Sequence, residues 1–329
     1  MKESVLLGEI TCPSGELVLM DSGRLGLWSG ELSPDETAEP GTVAAADFEI
    51  AGPDALAAAR SFDRQSGRYL YDIPQHGVAK VHAQFQEHCA EHGLQATLRL
   101  FPRRVPHRER LRRALKTGAR DFLVAGFPAV PVGDLPADRP LPVTATPGPK
   151  GWREIQIWMG AGTPVETRRL GDIHVEEERF VFADVGALCS WVHEETLDGL
   201  ADLVFWGRDE ELIAAEFRAG RTGILADDPY GWTDLPDEEA YQLAVRLQHR
   251  QHAEPQADFA FDFRPHSHHW QALAGIRGSI HDAAVVTAGD ADILVARTSV
   301  GDGAFPVRLD LDAAGKPAAI RIDLPQSAL

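Results

Sequence analysis

Apolar and polar residues alternate in short runs along the first part of the chain. Val5–Cys12, Glu16–Asp21 and Arg24–Trp28 are such runs, and Gly-containing turn sequences separate them, so we predict an opening β-meander. The same reasoning predicts later strands at Val43–Ile50, Arg68–Ile73, Leu94–Phe101, Asp121–Phe127, Arg153–Met159, Val165–Leu170, His174–Asp184, Phe259–Phe263, Ile293–Thr298, Phe305–Asp310 and Ala318–Leu324.

Helical periodicity is clearest in two segments. Apolar residues recur on one face of Gly77–His92, and Pro236–Arg250 opens with a proline and three acids, which suit a first helical turn. Further helices are predicted at Pro106–Thr117, Ala187–Leu200, Asp209–Ala219 and His269–Ile276. Because the strands occur in runs and do not alternate strictly with helices, we predict an α+β fold with largely antiparallel sheets and packed helices.

Prolines mark the most obvious compositional boundary. Seven of the 22 prolines fall between Pro128 and Pro149. Each ring fixes φ and removes an amide donor, so this stretch predicts a stiff, extended connector. A chain of 329 residues is also long enough for two cores. We therefore expect an N-terminal domain at 1–127 containing a basic helix, a linker at 128–150 and an acidic C-terminal domain at 151–329.

Charge is distributed unevenly between these parts. The chain carries 32 Lys and Arg against 50 Asp and Glu, a net charge of −18, and residues 151–329 account for −16 of it. A general nucleic-acid binder is therefore not expected. An acidic surface attracts basic proteins at long range. The leading functional hypothesis is an acidic protein-binding module: an adaptor, an accessory subunit or an immunity-like neutraliser of a basic partner.

Localisation signals point to the cytoplasm. The three cysteines lie far apart and are odd in number, which suits a reducing compartment better than a disulfide framework. The first nine residues are too short and too acidic for a secretory signal. No apolar run approaches the roughly 20 residues that a membrane helix needs, so no membrane association is expected.

A histidine-rich turn is the first candidate site. His266, His268 and His269 follow the predicted phenylalanine strand. They could provide acid–base catalysis, with Asp302 or Asp282 orienting an imidazole, in a hydrolase or transferase. Alternatively, His266, His268 and His281 could bind a divalent metal. No cofactor other than this metal is expected. The simpler alternative is a polar turn in which Ser267 caps the following helix.

A basic segment is the second candidate site. Arg103, Arg104, Arg108 and Arg112 could hold an anionic small ligand through their guanidinium groups. The favoured alternative is that this segment docks on the acidic half of the same chain. Separately, His88 and His92 share a helix face and could bind a metal, although histidines at the margin of a core are the favoured explanation.

Several familiar sequence signatures are absent. The chain has no G-x-x-x-x-G-K-[ST] loop, no G-x-G-x-x-G turn, no G-x-S-x-G sequence and no C-x-x-C pair. These absences argue against a standard nucleotide cradle, an α/β-hydrolase nucleophile and the usual structural zinc site.

Two segments of the second half resemble a bacterial family of domains of unknown function. Thr298–Val307 reads T-S-V-G-D-G-A-F-P-V, similar to the T-S-W-G-D-G-x-[FY]-P-V stretch that precedes the final hairpin of that family, with Val300 in place of the tryptophan. Phe180–Ala187 is similar to the family's strand-to-helix connection. The resemblance implies a fold for roughly the second half and no catalytic residues.

Overall fold

The computed structural model describes residues 4–38, 41, 44–62, 67–117, 122–223 and 229–325. The chain divides into two compact units. Residues 1–190 and 287–329 form one, called here the host unit, and residues 191–286 form the other, the inserted unit. The predicted α+β class is confirmed, because antiparallel sheets and helices occur in both.

The elements of the host unit before the insertion include eleven strands among the described residues. These are β1 (Val5–Ile10), β2 (Leu17–Asp21), β3 (Ala45–Ala51), β4 (Tyr69–Pro74), β5 (Thr97–Leu100), β6 (Phe122–Val124), β7 (Phe127–Val132), β8 (Leu141–Gly148), β9 (Gly151–Trp158), β10 (Glu166–Val175) and β11 (Arg179–Asp184). The helices are α1 (Pro34–Thr37), α2 (Ala55–Ser61), α3 (Val78–His92) and α4 (His107–Thr117), with 3-10 turns at Ser22–Leu27, Gln75–Gly77 and Ala187–Ser190.

The inserted unit and the remaining host elements complete the chain. The inserted unit contains β12 (Leu200–Trp206), α5 (Glu210–Phe217), β13 (Gly220–Arg221), β14 (Tyr230–Pro236), α6 (Asp237–Ala253), β15 (Ala260–Pro265) and α7 (His268–Gly278). The boundary falls within β16 (Ala283–Ala288), after which come β17 (Ala291–Arg297), β18 (Gly303–Leu311) and β19 (Pro317–Asp323).

Three antiparallel sheets belong to the host unit. Their strand orders are β1-β8-β9-β19-β18-β10, β16-β17-β11-β2-β7-β6 and β4-β3-β5. The third sheet carries α2 and α3 over a core that includes Phe48, Leu70 and Phe85. The chain leaves the host after β11 and returns at β17, and these two strands pair directly, Phe180 with Ala296 and Phe182 with Leu294. Near this exit, a Cβ added to Gly289 would lie 3.0 Å from Ser190 Oγ.

The proline-rich stretch forms strands, so the predicted linker at 128–150 is wrong. It contains most of β7 and all of β8, and β8 pairs with both β1 and β9. Leu141, Val143 and Ala145 alternate inward and are fully buried, and this apolar alternation outweighs the prolines. Pro147 lies at a register shift, where a missing amide hydrogen costs least. The first sheet therefore joins strands from both sides of the predicted boundary, and the chain divides at 191–286 instead.

Most predicted helices and strands are confirmed, but the predicted strands His174–Asp184 and Asp121–Phe127 each contain a break, at 176–178 and 125–126, and two further segments are not the predicted element. Arg24–Trp28 lies in a 3-10 turn, because the Asp21 carboxylate accepts a hydrogen bond from Gly23 N and turns the chain. The predicted helix at Ala187–Leu200 stops after Ser190. Beyond it, the side chains of Thr196 and Asp198 bond to the backbone of Gly199 and Leu200, which competes with helical hydrogen bonds.

The inserted unit is built on one four-stranded sheet in the order β13-β14-β12-β15. Its core includes Leu203, Phe205, Ile213, Leu247 and Phe259, from the sheet, from the α5 and α6 helices and from the loop before β15. The α7 helix follows directly after β15. Among the described residues, no helix is both long enough and apolar enough to cross a bilayer.

Candidate functional site

The histidine-rich turn joins β15 to α7 within the inserted unit. His266 N donates to Leu200 O at 3.0 Å, and Leu197 N donates to His266 O at 2.9 Å. Ser267 Oγ accepts from Trp270 N at 3.1 Å, so the predicted N-cap of the helix is confirmed. These bonds fix the first imidazole of the turn against the start of β12.

His266 is flanked by two carboxylates. Its Nδ1 lies 3.1 Å from Asp198 Oδ2, and its Nε2 lies 3.2 Å from Asp202 Oδ1. The ring stacks on Trp270 with centroids 4.0 Å apart, and the residue is 3% exposed. Burial lowers the pKa of His266. The hydrogen bonds to Asp202 and Asp198 raise the pKa by more than burial lowers it, so the net shift is upward. The two acids replace Asp302 and Asp282 as the groups that orient this imidazole.

His268 has a structural role. Its Nδ1 accepts from Val192 N at 2.9 Å, its N donates to Val192 O at 3.1 Å, and its ring stacks on Trp191. Burial lowers the pKa of His268, which favours the neutral ring that this acceptor role requires. His268 therefore ties residue 192 to α7 through its backbone and its Nδ1, and its role as a metal ligand or catalytic base stays a prediction.

His269 lines a cavity of about 410 Å³. Its ring lies 4.3 Å from that of His193, centroid to centroid, and Trp191 Nε1 donates to His193 Nδ1 at 3.3 Å. The side chains and backbone of eleven residues line this cavity: His193, Glu194, Asp262, Phe263, Arg264, Pro265, Ser267, His269, Trp270, Leu273 and Arg277. His269 is thus the predicted histidine that faces an open space.

The predicted metal set of His266, His268 and His281 does not assemble. Among the described residues, the one group of three potential ligands with atoms within 4.8 Å of one another is Asp202, Asp234 and His266. His281 lies after α7, where its N donates to Ser279 Oγ at 3.2 Å. The sequence prediction missed both aspartates because they lie 64 and 32 residues before His266 along the chain.

Asp302 belongs to the host unit. Its Oδ1 accepts from Glu178 N at 3.0 Å, which fixes the turn before β18. His88 and His92 also lie in the host unit, where His88 Nε2 bonds to Ser61 Oγ at 2.8 Å and His92 Nδ1 lies 2.9 Å from His88 O. Asp302 and this histidine pair therefore have local hydrogen-bonding partners of their own.

The basic segment is paired with acids of the first half of the chain. The predicted ligand-binding arginines form these ion pairs: Arg103 with Glu36, Arg104 with Asp72 and Asp35, and both Arg108 and Arg112 with Glu31. Docking within the chain was the favoured alternative, but the acids are not those of the 151–329 half. Arg104 lines a second cavity of about 360 Å³, and its side chain is 11% exposed.

A buried ion-pair network lies beneath this segment. Arg110, with no exposed side-chain surface, donates to Asp47 Oδ2 at 3.0 Å and to Asp72 Oδ2 at 2.7 Å. Asp47 also accepts from the backbone of Val105 and Asp72. Every carboxylate in the network is thus matched by a guanidinium or by amide hydrogens, and we call it the Arg110 network.

Comparison with known proteins finds no matching family model, no matching curated protein and no matching solved structure. The resemblance of Thr298–Val307 to a family of unknown function therefore stays a prediction. The function must be argued from the geometry of the inserted unit.

Proposed function

We propose that the inserted unit binds a small anionic molecule in the cavity beside α7, and that His193 and His269 act on it as acid–base groups in a hydrolase or transferase. The observation that carries this proposal is that one cavity of about 410 Å³ is lined by two histidines and two arginines, Arg264 and Arg277, beside two acids. The enzyme hypothesis from the sequence is therefore retained, but the proposed acid–base groups are His193 and His269 in the cavity and no longer His266 and His268.

The cavity has the size and lining of a small-molecule site. Such sites typically measure about 300–1,000 Å³ and combine apolar walls with a few polar groups. Here Phe263, Trp270 and Leu273 supply the apolar part. A ligand with an apolar body and one anionic group matches this lining.

The cationic groups favour an anion. Residues 191–286 contain 18 acidic and seven basic side chains, all arginines, and two of those arginines line the cavity together with the acids Glu194 and Asp262. Arg264 Nε donates to Asp262 Oδ2 at 2.6 Å, which holds its guanidinium in place. A guanidinium that is already oriented loses less entropy when it binds a carboxylate or phosphate.

The imidazole pair supplies proton transfer. Because His193 Nδ1 accepts from Trp191 Nε1, the neutral ring carries its hydrogen on Nε2. The His269 ring lies 4.3 Å away, close enough for both imidazoles to reach one bound molecule. One ring as acid and the other as base is therefore the expected division of roles.

Isothermal titration with inorganic phosphate and phenyl phosphate tests the binding. We expect phenyl phosphate to bind with a Kd of about 1 mM or tighter, and Arg277→Gln to weaken it about tenfold. Arg208→Gln is the matched control, since it removes the same charge from an exposed arginine of the same unit outside the cavity. Equal loss in both variants, or no binding by the natural chain, would contradict the proposal.

Hydrolysis of p-nitrophenyl phosphate and p-nitrophenyl acetate tests the acid–base role. His269→Phe keeps an aromatic ring against His193 but removes the titrating nitrogens. We expect turnover to fall at least about 100-fold while phenyl phosphate binding persists. Turnover that survives in His269→Phe would assign the cavity to binding alone.

The acidic surface supports a second candidate, the binding of a basic partner. Exposed acids of 194–198 and 234–239 come together because β12 pairs with β14 and Asp237 N donates to Gly199 O at 2.9 Å. Titration with an oligolysine peptide should show affinity that falls steeply with salt and is weaker in Glu239→Gln. Glu211→Gln is the control, because Glu211 lies in the first turn of α5 whereas Glu239 lies in the first turn of α6. Salt-independent binding would argue against this candidate.

A further inference from the structure

A break in strand pairing brings two aspartates together beside His266. In the β12–β14 ladder, Ala201 pairs with Leu235 and Leu203 pairs with Trp232, so Asp202 faces a bulge. Asp234 lies in that bulge with φ of +54°, and its backbone N donates to Asp202 Oδ1 at 3.0 Å. Bulges often re-aim side chains at functional sites.

The separations suit a shared cation. Asp202 Oδ1 and His266 Nε2 are 3.2 Å apart, and the ligand atoms of Asp202, Asp234 and His266 all lie within 4.8 Å of one another. An ion held tetrahedrally at about 2.1 Å from nitrogen and oxygen separates those ligands by about 3.4 Å. The buried pair already has this spacing, and the exposed Asp234 side chain has room to complete the set.

The surrounding hydrogen bonds orient both buried ligands. Asp198 Oδ2 faces His266 Nδ1, so that a hydrogen on Nδ1 directs the Nε2 lone pair at Asp202. Trp270 Nε1 donates to Asp202 Oδ2 at 3.0 Å, which turns Oδ1 toward the imidazole. The 3.2 Å contact between Nε2 and Asp202 Oδ1 can be bridged by a proton or by a metal ion. A carboxylate behind a ligating imidazole is the usual arrangement at metal centres.

The local charge also favours a cation. Asp202 is 3% exposed, and the ion pairs that the described residues form with Asp198 and Asp202 are both made by His266. Arg264, the guanidinium across the β12–β15 ladder from Asp202, is paired with Asp262. The described ion pairs therefore set one imidazole beside three carboxylates, of which only Asp202 is buried, and an added cation would balance the excess negative charge.

We propose that Asp202, Asp234 and His266 bind a divalent first-row transition ion, with Zn²⁺ as the reference ion. The imidazole ligand favours Zn²⁺ over Mg²⁺ and Ca²⁺, which prefer oxygen ligands alone. Asp198 and Trp270 act as positioning residues. None of the three ligands lines the cavity of the proposed function, so the two proposals are independent.

Zn²⁺ titration of the untagged, chelator-stripped full chain tests this site. We expect one equivalent to bind by isothermal titration calorimetry, with Mg²⁺ at least 100-fold weaker. Asp234→Asn should weaken Zn²⁺ binding at least tenfold, because it replaces a charged ligand while asparagine accepts the positive φ. Asp282→Asn is a closely matched control: it is also exposed, has φ of +52° and lies in the same unit.

The outcomes separate the site from nonspecific attraction. Equal weakening in Asp234→Asn and Asp282→Asn would mean that only net charge matters, and would overturn the proposal. So would the absence of a stoichiometric Zn²⁺ site, or tighter binding of Mg²⁺. Thermal melts of the metal-free variants should coincide with that of the natural chain, which excludes loss of folding as the cause. Visible absorption of bound Co²⁺ that diminishes in Asp234→Asn would provide independent support.

Discussion

The Arg110 network of the host unit and the His266 site of the inserted unit both bury carboxylates, but they balance charge differently. In the first, Asp47 and Asp72 share the guanidinium of Arg110, and Arg104 adds a second cation to Asp72. In the second, Asp202 accepts neutral hydrogen bonds from Trp270 Nε1 and Asp234 N, and its ion-pair partner His266 also pairs with Asp198. The first network is closed, which means here that its carboxylates are matched by guanidinium groups. The second has more carboxylates than cationic partners.

This difference distinguishes a structural role from a binding role. A closed network gains little from any added ion, because its lone pairs are already occupied by N–H donors. An acceptor-rich site can be completed by a proton or a metal. The nature of the cation that completes it then determines the chemistry of the site. Local charge balance therefore says more about function here than the total acidity of the chain does.

The largest expected effect comes from opening the closed network. Arg110→Met leaves Asp47 and Asp72 buried with fewer cationic partners and should destabilise the protein by about 3–5 kcal/mol. Arg112→Met on the same helix is the control, because Arg112 is half exposed and lies 3.8 Å from Glu31, so it should cost less than about 1 kcal/mol. Urea unfolding measures the free energy of unfolding of both variants. Equal losses would mean that burial of the Arg110 ion pairs does not contribute to stability.

Completing the open site should have the next largest effect. Free Zn²⁺ at 100 times its Kd should stabilise the inserted unit by about 2.7 kcal/mol, since only the folded site binds the ion. Asp234→Asn should remove this stabilisation and Asp282→Asn should retain it. Urea unfolding with and without Zn²⁺, followed by tryptophan fluorescence, measures the shift. A shift retained in Asp234→Asn would place the ion elsewhere.

The pH dependence of the host unit sharpens the comparison further. Burial raises the pKa of Asp72. The guanidiniums of Arg110 and Arg104 lower it by more than burial raises it, so the pKa falls from 3.8 to about 2. A carboxyl with a lowered folded-state pKa stabilises the fold above the unfolded pKa and loses that contribution as pH falls. Asp72→Asn should therefore cost about 2 kcal/mol at pH 6 and almost nothing near pH 2.

Asp134→Asn is the matched control for this pH series. Asp134 lies in the same unit and also has a positive φ, +59°, but its side chain is exposed. The free energy of unfolding of the Asp134→Asn variant should equal that of the natural chain at every pH. A difference between Asp72→Asn and the natural chain that persists unchanged to pH 2 would show that the lost contribution is not ionic.

The smallest predicted effect concerns the orientation of His266. Asp198→Asn keeps Oδ1 for Leu200 N but places an amide or a weaker acceptor against His266 Nδ1. The imidazole then loses its preference for a hydrogen on Nδ1, and Zn²⁺ affinity should fall about tenfold. The melting temperature of the metal-free protein should barely change, since Asp198 is exposed. Unchanged Zn²⁺ affinity would remove Asp198 from the site.

The fold class was predictable because its signals are local. The α3 and α4 helices and the closing strands β17, β18 and β19 follow periodicity and turn residues that lie within each segment. The division of the chain was not predictable from proline content. Prolines disfavour a strand only where the ladder needs their amide, and that depends on partners distant in sequence.

The candidate site was predictable only in part. The histidine-rich turn and its Ser267 cap are visible in a few consecutive residues, but Asp198, Asp202 and Asp234 reach His266 through strand pairing and a bulge. One signal was available: Asp202 is an acid within the apolar run Leu200–Trp206, and an acid in a buried strand needs a partner. Identifying that partner requires the register of the sheet.

The way in which the inserted unit leaves and rejoins the chain has a consequence for sequence variation. Ser190 and Gly289 are neighbours, and the strands on either side of the gap pair with each other. Apart from residues 283–286, which begin β16, the segment 191–286 is therefore a long connection between two paired strands of the host. The entropy of closing such a loop grows only with the logarithm of its length. Replacement of that connection by a short turn, or by an unrelated domain with adjacent termini, would leave the β11–β17 ladder intact, so the inserted unit can change in sequence while the host keeps its core.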